Sequence, residues 1–145
     1  MENRRSKLRQ EKKYVIHRAE TKFFERILIY NGFYLNHLPN YVNNVYLENN
    51  FLTSSLENIE GECVRSKHRI RWYNQKREFF LEEKIKLSSS GFKKKIELSS
   101  NNLIEAIHEA EQRTKKKAII QNSYFRKYYS TAQARITIDS DLKFK

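Results

Sequence analysis

Basic side chains recur at every second position in several separate stretches of the chain. Arg69 and Arg71 stand two residues apart, and so do Lys84 and Lys86. Because successive side chains of a β-strand point to opposite faces of its sheet, residues two apart share a face. Bases that fit the same spacing stand in four further stretches: Lys22, Lys93, Lys95, Arg126 and Arg135. In each stretch the basic side chains therefore lie on one face of the predicted strand.

This spacing predicts a binding site for a polyanion. Like charges that face one another across neighbouring strands destabilise a sheet, and an anion between them removes the repulsion. A sheet closed into a barrel would enclose that anion, with its apolar side chains turned outward against helices. Three acids stand among the bases and could hold a divalent cation that bridges phosphates: Glu20, Glu82 and Asp139. A simpler alternative stays open, because any half-buried antiparallel sheet turns polar side chains to water.

The composition favours a polyanionic partner and excludes other kinds of site. Among 145 residues, 29 Lys and Arg against 17 Asp and Glu give a formal net charge of +12. The 3 glycines lie far apart, which excludes a glycine-rich phosphate loop. The 1 cysteine excludes an internal disulfide and a multi-cysteine zinc site. No apolar run approaches the roughly 18 residues of a membrane span, and we expect a cytoplasmic protein.

Hydrophobic periodicity predicts strands with helices inserted between them. The candidate strands are 14–23, 42–47, 64–73, 78–87, 92–98, 119–129 and 134–139. The candidate helices are 24–31, 50–58 and 101–117. This order favours an α+β fold, an antiparallel sheet or barrel with peripheral helices. With no repeat or flexible linker, residues 14–145 form one predicted domain after a basic tail at residues 1–13.

Five segments resemble, in order, the pattern of one protein family. They are RAETKF (18–23), LPNYVNNVYLEN (38–49), RSKHRIRWYN with FFLEEKIKL (65–87), YFRKYY (124–129) and RITIDSDLKF (135–144). Together they resemble the VTC domain, which is the polyphosphate polymerase domain of vacuolar transporter chaperone proteins. That domain belongs to the CYTH-like triphosphate tunnel metalloenzymes.

The resemblance implies an antiparallel barrel around a basic tunnel that binds ATP or inorganic polyphosphate with Mn²⁺ or Mg²⁺. Polymerase members transfer the γ-phosphoryl group of ATP to polyphosphate, and other tunnel enzymes hydrolyse triphosphates. The matching residues that would hold the phosphate chain during transfer are Arg69, Arg71, Lys84, Arg126 and Arg135. Further phosphate contacts would come from Lys22, Lys86, Lys93 and Lys95. Glu20 and Glu82 match tunnel acids.

The family pattern continues past Lys145 with another E-x-K strand and a closing helix, so we expect a barrel that is incomplete at its C-terminus. The sequence leaves open whether the chain is a polymerase, a triphosphatase or a binding domain without catalysis. Its bases also interleave with aromatic residues, an arrangement that suits a nucleic-acid-binding surface. These aromatic residues are Trp72, Tyr73, Phe79 and Tyr128.

Overall fold

The computed structural model describes residues 11–49, 64–87 and 90–145. Most of the predicted tail at 1–13 and the predicted helix at 50–58 lie outside these ranges. The strands are β1 (Tyr34–Glu48), β2 (Val64–Tyr73), β3 (Phe80–Leu87), β4 (Ser90–Glu97), β5 (Lys117–Ser130) and β6 (Arg135–Phe144). The α-helices of this part of the chain are α1 (Thr21–Tyr30) and α2 (Leu103–Thr114).

The strands form one antiparallel sheet in the order β4-β3-β2-β1-β5-β6. The α+β class and the antiparallel sheet predicted from sequence are therefore confirmed. The barrel is not confirmed, because β4 and β6 stand at opposite edges and do not pair within the described ranges. Strand β1 lies at the centre, so bases on β2 and β5 are each one strand away from it.

The predicted strand at 14–23 is wrong, because this segment starts a helix. A 3-10 helix at Arg18–Glu20 leads directly into α1. The His17 ring accepts from the backbone N–H of Ala19 at 3.3 Å, and the Glu20 carboxylate accepts from the backbone N–H of His17 at 3.3 Å. These reciprocal bonds form a capping box. They satisfy backbone N–H groups at the start of the helix, which in a strand would instead need carbonyl partners on a neighbouring strand. Glu20 and Lys22 consequently lie off the sheet.

Pro39 lies inside β1, near the end of the strand that begins at Tyr34. The pairing of β1 with β5 shifts register between Leu35 and His37 and again between His37 and Asn40. Among the described strands, β5 alone pairs with this end of β1, since pairing with β2 begins at Val42. A proline, which has no N–H to donate, is tolerated in a strand at such an irregular, one-sided position.

One face of the sheet is apolar, and both α-helices pack on it. Ile70 of β2 and Leu81 of β3 lie in a core with Ala106 and Ala110 of α2, which are fully buried. Near the other end, Leu28 of α1 packs with Tyr129 and Ile138. The strand register places these core strand residues on the same face. The opposite, polar face is therefore the one that the two helices leave uncovered.

None of the described helices is long and apolar enough to cross a membrane.

The core predicts a clear contrast between two isoleucines. Ile70 has none of its surface exposed, whereas Ile104 on α2 is 81% exposed. We expect Ile70→Ala to lower the free energy of unfolding by about 2–5 kcal/mol, because it removes buried methyl groups and leaves a cavity. The matched control Ile104→Ala should change it by less than about 0.5 kcal/mol. Urea unfolding followed by Trp72 fluorescence measures both, and equal losses would contradict this core.

Candidate functional site

Strand register brings the predicted bases to the polar face. Arg71 of β2 lies opposite Asn44 of β1, and Arg69 lies opposite Glu82 of β3. Glu82 in turn lies opposite Lys95 of β4. Cross-strand partners share a face. The bases whose positions in the register place them on the polar face are Lys67, Arg69, Arg71, Lys84, Lys93, Lys95, Arg126 and Arg135.

The centre of this charge is the buried carboxylate of Glu82, whose side chain is only 3% exposed. Its Oε2 accepts from Nε and Nη2 of Arg69 at 2.8 and 2.7 Å. Its Oε1 accepts from Nζ of Lys93 at 2.5 Å. Nη1 of Arg71 lies 3.7 Å from Oε2. We call Glu82, Arg69, Arg71 and Lys93 the Glu82 cluster.

The bases of the cluster keep Glu82 ionised despite its burial. Burial alone raises the pKa of this carboxyl group, but the hydrogen bond from Lys93 and the charges of Arg71 and Arg69 outweigh it. The pKa of Glu82 is therefore below its usual value. The pKa of Arg69 is raised, since its pairing with Glu82 outweighs the effect of its own burial. Glu82 and Arg69 are thus both charged at neutral pH.

Arg71 is buried, and neutral polar groups hold it. Its Nε donates to Oδ1 of Asn44 at 2.8 Å, and its Nη2 donates to the hydroxyl of Tyr124 at 3.3 Å. Asn44 also donates through Nδ2 to Oδ1 of Asn122 at 2.8 Å. Strands β1, β2 and β5 therefore meet in one hydrogen-bonded network around this guanidinium.

A second ion pair lies on the β5–β6 side of the same face. Nε and Nη2 of Arg126 donate to the two carboxylate oxygens of Asp139 at 2.6 and 2.7 Å. Burial lowers the pKa of Arg126, but the hydrogen bond with Asp139 outweighs it and the pKa is raised. The Arg126 guanidinium lies 4.9 Å from the ring centre of Tyr124. Tyr124 therefore contacts both Arg71 and Arg126.

The remaining predicted residues are placed differently. Lys84 is exposed and lies opposite Lys67 and Lys93 in register. Lys95 lies over the ring of Phe80, with Nζ 3.6 Å from its centre. Arg135 is exposed at the start of β6.

Three predicted residues either lie away from the polar face or have side chains outside the described residues. Lys86 belongs to β3, but its side chain lies outside the described residues. Lys22 is exposed on α1, the helix that packs on the apolar face, and Glu20 caps the preceding turn.

The predicted metal ligands do not form one site. Both carboxylate oxygens of Glu82 accept hydrogen bonds, from Arg69 and from Lys93. Both carboxylate oxygens of Asp139 accept from Arg126. Strands β2, β1 and β5 separate these two carboxylates, and Glu20 is off the sheet. In the described ranges, no three His, Cys, Asp or Glu side chains lie close enough to hold a metal ion. The three predicted acids are therefore not brought together in the part of the chain that the structure describes.

Sequence reasoning missed the polar residues that hold Arg71. Asn44 and Asn122 carry no charge and belong to no motif of bases at alternate positions. Nothing in the sequence shows that Tyr124, which alternates with Arg126, also holds Arg71. One signal was present: Asn44 stands between Val42 and Val45, inside a stretch that reads as a buried strand. An amide at such a position requires a polar partner across the sheet.

The Glu82 cluster predicts a pH-dependent effect of Glu82→Gln. At pH 7 we expect the free energy of unfolding to fall by about 2–3 kcal/mol, because the substitution leaves three bases without their counter-charge. The expected loss of stability is smaller than for a fully buried ion pair, since the side chains of Arg69 and Lys93 are partly exposed to solvent. A carboxyl group with a lowered pKa contributes stability above about pH 4.5 and loses it as pH falls further.

The difference in the free energy of unfolding between wild type and Glu82→Gln should therefore shrink below about pH 4.5 as Glu82 becomes protonated. Guanidinium unfolding at a series of pH values measures it. Glu97→Gln is the matched control, since Glu97 is exposed on the same face. A difference that stays constant down to pH 2 would contradict the counter-charge role.

The comparisons with known proteins agree with this fold. The family model of the VTC domain matches residues 8–145. No curated protein was found to match the chain. Among solved structures, the PH1819 protein from Pyrococcus horikoshii OT3 is similar, with a TM-score of 0.55 and 17% sequence identity over 85% of this chain. The match covers 66% of that protein, just under two thirds of its length. The chain belongs to the VTC domain family.

Proposed function

We propose that the polar face binds the phosphate chain of ATP or inorganic polyphosphate and that the protein is a polyphosphate polymerase-like phosphotransferase. The observation that carries this proposal is the Glu82 cluster, in which bases from β2 and β4 converge on one buried oxyanion of β3. Membership of the VTC domain family supports a polyphosphate-related function. A cytoplasmic location belongs to the same proposal, since ATP is available there.

The chemistry of the cluster suits phosphate. Arg69 already makes a two-pronged contact with a carboxylate oxygen, and guanidinium groups bind phosphate oxygens through the same fork. One carboxylate offsets one of the three positive charges of the cluster, so two remain. This residual charge favours a further anion on the polar face.

The arrangement suits an extended anion better than a single phosphate. The Glu82 cluster lies on the β2–β4 side of β1, and Arg126 lies on the β5 side. Neighbouring strands are about 4.8 Å apart, so Arg71 and Arg126 belong to strands about 10 Å apart. Tyr124 contacts both guanidinium groups and joins the two charged regions. A linear triphosphate or longer chain spans such a distance.

In phosphoryl transfer a protein mainly positions the groups and stabilises the charge that develops on them. In the proposed function, Arg69 and Arg71 orient and neutralise one part of the phosphate chain. Arg126 and Arg135 neutralise the part over β5 and β6, and the exposed Lys84 contacts phosphate as a mobile point charge. A divalent cation, Mn²⁺ or Mg²⁺, would enter with the phosphate chain that it bridges and would offset part of its charge.

The binding step predicts a strong preference for phosphate chains. A fluorescent ATP analogue bound to the protein should be displaced by tripolyphosphate at far lower concentration than by an oligonucleotide of equal charge. Nucleic acid has widely spaced phosphates and requires stacking, which the Glu82 cluster does not offer. Displacement in the opposite order would favour a nucleic-acid-binding surface and contradict the proposal.

The same assay tests the residues. Arg71→Ala should weaken tripolyphosphate binding about ten- to hundredfold, since it removes a charge-assisted contact and leaves its neutral partners unpaired. Arg26→Ala is the matched control, because Arg26 is exposed on α1, which packs on the apolar face. Equal losses in the two variants would show only an effect of net charge.

The transfer step needs a separate measurement. We expect the protein to convert ATP to polyphosphate in the presence of Mn²⁺, and Arg71→Ala to lower the rate about a hundredfold through lost stabilisation of transition-state charge. Release of orthophosphate without polyphosphate would instead identify a triphosphatase. Binding without turnover would identify a domain that holds polyphosphate but does not make it.

A further inference from the structure

Asn44 is the most deeply buried polar side chain in the described part of the chain, with 0% of its surface exposed. It lies on the central strand between Arg71 of β2 and Asn122 of β5, its partners across the sheet on either side. A buried amide is costly unless its oxygen and its nitrogen both have partners. Both do, at 2.8 Å from Arg71 and 2.8 Å from Asn122.

The direction of this row of hydrogen bonds is set by Arg71. A guanidinium group only donates, so Asn44 must turn its oxygen toward Nε of Arg71. The nitrogen of Asn44 then faces Asn122, which must accept through its own oxygen. No flip of either amide is allowed without placing two donors or two acceptors against each other. The relay Arg71–Asn44–Asn122 therefore has one arrangement only.

The relay determines where the guanidinium of Arg71 points. Nε is held by Asn44 at 2.8 Å and Nη2 by the Tyr124 hydroxyl at 3.3 Å, which together define the plane of the group. Nη1 lies 3.7 Å from Oε2 of Glu82, beyond hydrogen-bond distance. The N–H groups of Nη1 are thus oriented toward the Glu82 cluster, and they make no hydrogen bond among the described residues.

We propose that Asn44, held by Asn122, is a positioning residue that orients Arg71 for binding the phosphate chain. The inference rests on the proposed function, because it assigns Arg71 a phosphate to bind. A long side chain that is held in its binding orientation before the ligand arrives loses less conformational freedom on binding. Asn44 would thus raise affinity through Arg71 without itself contacting phosphate.

A double-mutant cycle tests this role, with tripolyphosphate as the probe and isothermal titration calorimetry as the measurement. We expect Asn44→Ala to raise the Kd about three- to tenfold in the wild-type background and to have no further effect in the Arg71→Ala background. Equal effects in both backgrounds would overturn the proposal, since Asn44 would then act independently of Arg71. Asn43→Ala is the matched control: its side chain bonds to the backbone of Asn74 instead, and Kd should not change.

A second measurement covers the case in which Asn44→Ala does not fold. In wild-type protein, the Hε proton of Arg71 should exchange with solvent much more slowly than that of the exposed Arg26 in ¹⁵N-resolved NMR spectra, because it is hydrogen-bonded and buried. The signal is assigned by its loss in Arg71→Ala. Exchange as fast as that of Arg26 would overturn the relay.

The two proposals fail in distinguishable ways. Wild-type protein that does not bind tripolyphosphate contradicts the proposed function, and Asn44 then has no phosphate-positioning role whatever the exchange rate. Wild-type binding combined with rapid exchange of the Arg71 Hε proton contradicts only the positioning role. Binding, slow exchange and a coupled double-mutant cycle together support both.

Discussion

The constraint on which this structure depends is repulsion between cations on neighbouring strands. Placing Arg69 and Arg71 of β2 and Lys93 of β4 on one face of the sheet would be unfavourable without a counter-charge. Glu82 supplies it from β3, the strand between those that carry the three bases, and its own burial is tolerated only because they surround it. On the β5–β6 side, Asp139 supplies the counter-charge for Arg126 in the same way.

The placement of the helices follows from the other face. Ile70, Leu81 and Tyr129 need an apolar cover, and α1 and α2 both provide it on the same side. The two faces of the sheet therefore differ: α1 and α2 pack on one, and most of the predicted phosphate-binding bases lie on the other. The net charge of +12 alone would be compatible with charge spread over the whole surface.

Much of this could be predicted from residue alternation. Strands β2 and β3 and the shared face of Arg69 and Arg71 follow directly from period two. The segment at 14–23 also alternates, but the capping box of His17 and Glu20 stabilises the start of a helix there. Closure of the sheet could not be predicted, because it depends on which edges meet, and the described edges β4 and β6 do not pair.

The role of each acid depends on strand register, which composition does not reveal. Glu82 among bases suggests a metal ligand when read along one strand. Opposite Arg69 and beside Lys93, it is instead an internal anion that fixes the bases in position. Asn44 was overlooked for a related reason, since its importance comes from a partner 27 residues away in sequence. A charged face of this kind is organised as much by its neutral and acidic members as by its bases, because those members decide which donors remain for a ligand.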